Sequence, residues 1–458
     1  MCGRGSLWLD GVSLEVVMAS AQPKPDFERR WGREDSNLRR LSRRVYSPFP
    51  LAARAHPQGA ANCSLGCLER FDAIVVGAGP AGSTTAYRLA RASARVLVLE
   101  RARFPRDKPC GGGLTERALR QLPFPVDPVV EETVDTLEAR LRYGARFERR
   151  SGSRLAVMTQ RRRLDAYLAE QAVAAGAELR EGARVTAVEG TTVRVGGETL
   201  TGEVLIGADG VNGVVGRSLD LGRDHQHGVA LEGNVSYADV DARRYARRLV
   251  LEFGVVPGGY GWVFPKGDHV NVGVGGWERE GPTLRAKLAE LCGEHGIDPD
   301  SVTDLRGYRL PMRRPSAVLA RGRVALVGDA AGLVEPLTGD GIYEAFLSAK
   351  LVTDAALAVL EGSEAGLEPY TAALTRTLAP LVSAGWGAKV ALDRFPTLMF
   401  SVARLGPLWP VVEKLVAGEL RGPSDARGLG RAPVRLLAAL AHRAGDPGRA
   451  YRAQALAR

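Results

Sequence analysis

"FDAIVVGAGPAGSTTAYRLARASARVLVLER", Phe71 to Arg101, is the stretch that decides the fold. Its apolar start reads as a buried strand and its middle as a helix. Its end, Val96 to Leu99, reads as a second strand that stops at Glu100. Gly77, Gly79 and Gly82 punctuate the first turn as GxGxxG. In that context Gly77 permits the tight turn, Gly79 lets a pyrophosphate reach the backbone, and Gly82 lets helix and sheet pack closely. Pro80 and Ala81 open the helix, whose free N–H groups and positive dipole end face the phosphates. Glu100 stands where a carboxylate accepts hydrogen bonds from ribose hydroxyls, and Arg101 follows it. Strand, turn, helix, strand and acid together predict a dinucleotide site.

Two later segments return to the same architecture. "GRVALVGDAAGLVEPLTGDGIYEAFLSAKLVTDAA", Gly322 to Ala356, reads as a strand over Val324–Val327, then Gly328-Asp329, then a helix from about Gly341 to Leu360. Asp329 suits a ribityl hydroxyl, and the helix start at Gly341-Ile342 suits the pyrimidine carbonyl of a flavin. "LIGADGVNGVVGR", Leu205 to Arg217, ends another strand in Ala-Asp-Gly. Widely separated pieces of one nucleotide domain imply insertions between them, and they favour FAD. No second complete GxGxxG unit is present, so a dedicated nicotinamide domain is not expected.

Composition bounds the rest. The chain has 458 residues, 45% of them hydrophobic, and no apolar run near the ~20 residues that span a bilayer. Five cysteines without a secretion signal predict a reducing cytoplasm and no disulfide framework. His225, His227 and His269 are scattered, so no metal site is expected. The net charge of +10 is uneven. Residues 1–70 hold eleven Lys/Arg against seven Asp/Glu, and residues 386–458 hold twelve against five, leaving a nearly neutral body. That distribution argues against a nucleic-acid binder. Two accounts stay open: an Arg-rich codon bias, and attraction of the ends to an anionic membrane surface.

"PGGYGWVFP", Pro257 to Pro265, places Tyr260, Trp262 and Phe264 at i, i+2 and i+4, on one face of a strand. Three rings side by side make a smooth apolar wall, with Tyr and Trp hydrogens as candidates to orient or protonate a ligand that lies on it. The alternative is that the rings pack the core between sheet and neighbouring domain. In "KPCGGGL", Lys108 to Leu114, three glycines let backbone N–H groups approach a planar ring. Cys110 is either a proton donor there or a small residue in a tight turn.

These motifs, in this order, resemble the para-hydroxybenzoate-hydroxylase superfamily of flavoproteins, and within it the geranylgeranyl reductase family. The resemblance runs from about Phe71 to Phe400 and rests on the GxGxxG unit, "FPRDKPCGGGLTERAL", "PGGYGWVFP" with Gly273 and Gly275, and "GDAAG…TGDGI". It implies flavin contacts at Cys110, Gly111 and Gly113, a cofactor contact at Arg161, and a backbone contact to adenine at Val185, in the strand after the Arg161 helix. The family often carries a charged or polar residue where this chain has Gly112. "DGVNGVVGR" departs from the hydroxylases' DGxxSxxR pattern, with Gly213 for Ser and Arg217 one place late, which favours a reductase.

The expected fold class is α/β: an FAD-binding Rossmann-like domain with an interleaved β-sheet substrate domain and a helical C-terminal region. The nucleotide domain is expected at 71–220, with a small insertion near 120–155, and again at 319–361. The substrate sheet is expected at 221–318 and helices at 362–458, loosely ordered from 421. The implied activity is FAD-dependent saturation of double bonds in a polyprenyl lipid, with NADPH or another reduced donor. Unactivated prenyl double bonds require a hydride from reduced flavin and a positioned acid. The rivals are an FAD-dependent monooxygenase on the same fold and a flavin carrier without turnover. The expected location is the cytoplasm, with a peripheral membrane position as the alternative; oligomeric state is not read.

Residues 1–70 show no helical or strand period. They are expected to be disordered or an artefact of a start placed too far upstream. Glu34-Asp35-Ser36-Asn37-Leu38 can be encoded by a stretch containing the complement of a T-arm sequence common in tRNA genes. Mass spectrometry of the native protein is expected to find an N-terminus well after Met1; an intact one near Met1 overturns this reading.

Overall fold

In a computed structural model the described residues are 70–314 and 317–445; the expectation for residues 1–70 lies outside them, apart from Arg70. The opening strand spans Arg70–Val76 and its helix Pro80–Arg91, followed by the strand Val96–Glu100. The helix has Gly79 as N-cap and no side-chain cap, so its first N–H groups are left for a ligand.

The first sheet runs, by strand, 320–321, 324–326, 198–207, 70–76, 96–100, 178–181. The four pairings from 324–326 to 178–181 are parallel. Such strands are buried on both faces and read as continuous apolar runs. Val324–Leu326 is a short example, with all three residues buried. The three glycine-turn segments thus end side by side at one edge, as their sequence pattern predicts.

A seven-stranded sheet forms the second layer, in the order 303–313, 225–236, 269–277, 260–265, 248–253, 136–141, 145–150. Its last two strands come from the segment expected to be a small insertion of the nucleotide domain. Thr136–Leu141 pairs in parallel with Arg248–Phe253, so this sheet draws on two separate stretches of chain. In the aromatic strand Tyr260 lies opposite Gly275, Trp262 opposite Gly273, and Phe264 opposite Asn271.

Helices follow. Ile342–Leu360 has Gly341 as N-cap, and Glu368–Arg394 is the longest. Residues 421–445 are not loosely ordered: Arg431–Arg443 is a helix with Leu440 and Ala441 buried. A Cβ on Gly422 would lie 2.8 Å from the Pro380 Cβ and carbonyl oxygen, so this segment is seated against the long helix. The reason is apolar: Ala391, Met399, Val402, Leu440 and Ala444 share one buried cluster.

The long helix is fastened to the aromatic turn by polar contacts. Asp393 accepts from Gly258 N at 2.9 Å and from Trp277 Nε1 at 3.0 Å. Lys389 donates to Gly258 O and lies 4.5 Å over the Trp277 ring. Asp393→Ala is expected to lower stability by about 1–2 kcal/mol, from two hydrogen bonds each contributing roughly 1 kcal/mol. Urea unfolding checks it: an unchanged midpoint means the clamp does not hold the helix.

Candidate active site

A cavity of about 830 Å³ opens where the two sheets meet. One end is bounded by Gly77, Gly79, Pro80, Ala81, Glu100 and Arg101. The other is bounded by Leu137, Leu249, Leu251, Tyr260, Trp262 and Phe264 from the second sheet, and by Trp409, Val412 and Val416 from the helix Trp409–Ala417. The residues singled out as candidate contacts, Cys110, Gly111, Gly113, Arg161, Val185, Asp329, Gly341 and Ile342 included, border this one cavity, except Gly82, which packs against Gly77 and Ala208 behind it. Val185 does so from the second strand after the Arg161 helix, Val185–Glu189, because Glu178–Glu181 intervenes.

The nucleotide end fits FAD on its own geometry. A Cβ on Gly77 would collide with Ala208 O, and one on Gly82 with Gly77 O, so both positions exclude a side chain. Gly79 differs: the nearest atom to a Cβ there is Arg106 Nη2, at 3.7 Å. Space above Gly79 is left for a pyrophosphate, at a helix start without acids in its first turn. Glu100 is held at the strand end by Ala78 N at 2.8 Å and Ala102 N at 3.0 Å, its carboxylate ready for ribose hydroxyls.

Ion pairs organise the same end. Arg161 donates to both Asp165 oxygens, at 2.7 and 2.8 Å, and Arg106 donates to Asp165 at 2.9 Å. Burial opposes the charge on Arg161, yet Asp165 raises its pKa further. Lys108 donates to Asp329 at 2.7 Å, and Tyr308 donates to the same oxygen at 2.9 Å. Burial opposes ionisation of Asp329, and Lys108 overrides it, holding the carboxyl below its usual range. Arg106 and Lys108 were not foreseen; adjacency to the glycine loop was their only signal in the sequence.

At the other end the candidates take different roles from those expected. The Tyr260 hydroxyl donates to Thr338 O, and burial raises its pKa. Trp262 Nε1 donates to Asn271 Oδ1 at 2.8 Å. Both polar hydrogens are therefore engaged within the protein, which corrects the expectation that either protonates substrate. The rings remain as wall: Phe264 lies against Gly111, where a Cβ would come within 2.9 Å of it, and Trp262 fills the space over Gly273.

Two further groups escaped the sequence reading. Glu232, in the strand His225–Ser236, accepts from Cys110 N at 2.6 Å, and burial raises its pKa. It is the one acid that the second sheet contributes to the cavity lining. Lys266 is 3% exposed and donates to Gly111 O and, at 2.8 Å, to Thr159 O. The departure at Gly213 also has a cause: a Cβ there would collide with the Asp209 carboxylate, which accepts from Val215 N at 3.0 Å.

A family model described as "FAD binding domain" matches residues 70–382. A geranylgeranyl diphosphate reductase of Rhodobacter capsulatus is 32% identical over 312 residues, 64% of this chain and 77% of that protein. A digeranylgeranylglycerophospholipid reductase of Methanopyrus kandleri is 32% identical over 313 residues, 64% of this chain and 81% of that protein. Among solved structures, a geranylgeranyl bacteriochlorophyll reductase-like protein of Thermoplasma acidophilum matches with a TM-score of 0.66 at 22% identity. It covers 83% of this chain and 100% of its own. This last likeness concerns the fold alone.

Gly79→Val is expected to leave a folded protein without flavin, since its branches point into the pyrophosphate space and not into protein. Gly82→Ala is expected to lose the fold, because the added methyl meets Gly77 O. Flavin absorbance and circular dichroism of the two variants check this; normal flavin content in Gly79→Val overturns the assigned site.

Proposed function

Since the chain belongs to the geranylgeranyl reductase family of FAD-dependent oxidoreductases, we propose that it saturates carbon–carbon double bonds of a polyprenyl lipid. The observation that carries the reading is the composition of the cavity. Its nucleotide end bears paired charges, while its other end offers Leu137, Leu249, Leu251 and three aromatic rings. Such a wall suits a chain of isoprene units and offers a polar aromatic substrate little to bind.

FAD held between the Gly79 turn and the Cys110 loop, and reduced by NADPH or another donor, would supply the hydride. An isolated prenyl double bond has no carbonyl to absorb the resulting charge, so the second carbon must receive a proton. Each cycle then adds two hydrogens across one bond. Trp262 and Phe264 hold the chain along the cofactor loop, and the apolar wall keeps water out of the space where the hydride is transferred.

Glu232 is the group we assign to deliver the proton, with the Cys110 thiol beside it as its relay or substitute. Its Oε1 is fixed by Cys110 N, and burial pushes the carboxyl above its usual range, so it holds a proton nearer neutral pH. The protonated form is the active one, so the rate falls as pH rises through that raised value.

Anaerobic incubation of the reduced enzyme with prenyl substrates should reoxidise the flavin and add hydrogen pairs detectable by mass. Glu232→Gln keeps an acceptor for Cys110 N but has no proton to give. It should lower turnover about 10²- to 10⁴-fold with flavin content unchanged. Full activity in that variant transfers the role to Cys110, and absence of reoxidation by any prenyl substrate removes the reductase reading.

A further inference from the structure

We propose that two adjoining turns, Leu405–Leu408 and Gly428–Gly430, form a tip that inserts into an anionic lipid bilayer at the mouth of the cavity. Among the described residues, four of the large apolar side chains left exposed lie between 398 and 436: Leu398, Leu405, Leu429 and Leu436. Leu429 is 83% exposed, the most of them. The two turns are neighbours, because a Cβ on Gly430 would lie 3.1 Å from Pro407 O. Leu405 and Leu429 therefore project from one place on the surface.

Charge around the tip is one-sided. Residues 394–445 contain eight Lys/Arg and three Asp/Glu. Arg404, Arg427 and Arg431, which flank the two turns, are exposed. Elsewhere among the described residues many arginines, Arg106, Arg161 and Arg248 among them, pair with acids, whereas none of these eight bases takes part in an ion pair there. Leucines at a tip ringed by free cations match the apolar interior and anionic headgroups of a bilayer.

The tip also connects with the cavity. Trp409 directly follows the first turn and begins the helix whose Trp409, Val412 and Val416 line the apolar end. These positions fall at i, i+3 and i+7, on one face. A lipid chain leaving the bilayer at Leu405 meets that face next and passes into the cavity. The use of this path rests on the polyprenyl reading above; the bilayer contact itself does not.

Sedimentation of the FAD-loaded full chain with phosphatidylcholine vesicles, alone or mixed with phosphatidylglycerol, tests the proposal. Wild-type protein should bind the mixed vesicles and dissociate as salt rises. Leu405→Glu/Leu429→Glu should weaken binding more than tenfold. Arg404→Gln/Arg427→Gln should weaken it roughly fivefold per charge, with a shallower salt dependence. All variants should keep their flavin absorbance and circular dichroism, since the altered side chains are exposed. Equal binding by wild type and the glutamate variant overturns the proposal, as does no binding by wild type. So does a wild-type dimer that the glutamate variant splits without any vesicle binding, which would assign the tip to a second copy. Vesicle binding without prenyl turnover leaves the tip standing and removes the reductase reading; loss of turnover from vesicles with full turnover from detergent supports both.

Discussion

The cofactor loop is set by one buried ammonium. Lys266 extends beneath residues 110–113, where its Nζ donates to Gly111 O and Thr159 O and thereby joins three separate segments of chain. No carboxylate stands within ion-pairing distance of it among the described residues. Burial lowers its pKa, and two carbonyls take the place of a counter-ion. The consequence falls on Gly112. Its φ of +74° favours glycine, and a Cβ there would collide with both Lys266 Nζ and Thr159 O. A polar side chain at position 112 and the ammonium of Lys266 claim the same volume, so one excludes the other. This chain has placed the charge in the turn after the aromatic strand and emptied the loop.

The same exchange of volume shapes the aromatic strand. Rings on one strand demand absences on the next: Trp262 faces Gly273 and Tyr260 faces Gly275, and a Cβ on Gly273 would lie inside the indole. Bringing the rings down onto the sheet lets Phe264 reach Gly111 across the domain boundary. The sheet thus offers a flat face to the loop, and Asn271 fixes the indole by accepting its N–H. Either set alone would leave a gap or a clash. Together they account for why an aromatic triplet and a glycine pair both fall between Tyr260 and Gly275 in a chain that is only 6% aromatic.

Local pattern made the nucleotide half legible. GxGxxG, Glu100 and the Gly328–Ile342 block each carry their chemistry within a few residues, and short-range geometry is what a single sequence encodes directly. The seven-stranded sheet was less legible. Nothing in "TLEARL" reveals a parallel partner more than a hundred residues away, so Thr136–Leu141 was read as part of an insertion. Glu232 and Lys266 were missed for a related reason. Glu232 is an ordinary charged residue within a strand and Lys266 one in the turn after a strand, and the importance of each arises only once another segment buries it. Periodicity also undervalued Arg431–Arg443, because its exposed arginines hide a narrow apolar stripe ending in Leu440, Ala441 and Ala444. The roles of Tyr260 and Trp262 turned on where single hydrogens point, which no spacing encodes.

Burial and pairing divide the cavity into two electrostatic halves. At the nucleotide end, buried ions stay charged because each has a partner: Lys108 with Asp329, Arg161 and Arg106 with Asp165. At the other end, groups that lack a close counter-ion are driven toward their neutral forms. Burial raises Asp340 to about 6 and lowers Lys389 to about 8, and it raises Glu232 as well. Charges fixed by partners suit a diphosphate and its ribose; groups pushed toward neutrality suit a hydrocarbon, because less charge must be stripped of water to admit it. On the proposed reading, a molecule carrying both a diphosphate and a ring system would be held in one direction, phosphates toward Gly79 and ring toward Cys110. The direction follows from which side chains found partners as the two sheets closed on each other. On the proposed mechanism the proton donor, Glu232, belongs to the neutral side, where burial raises its pKa.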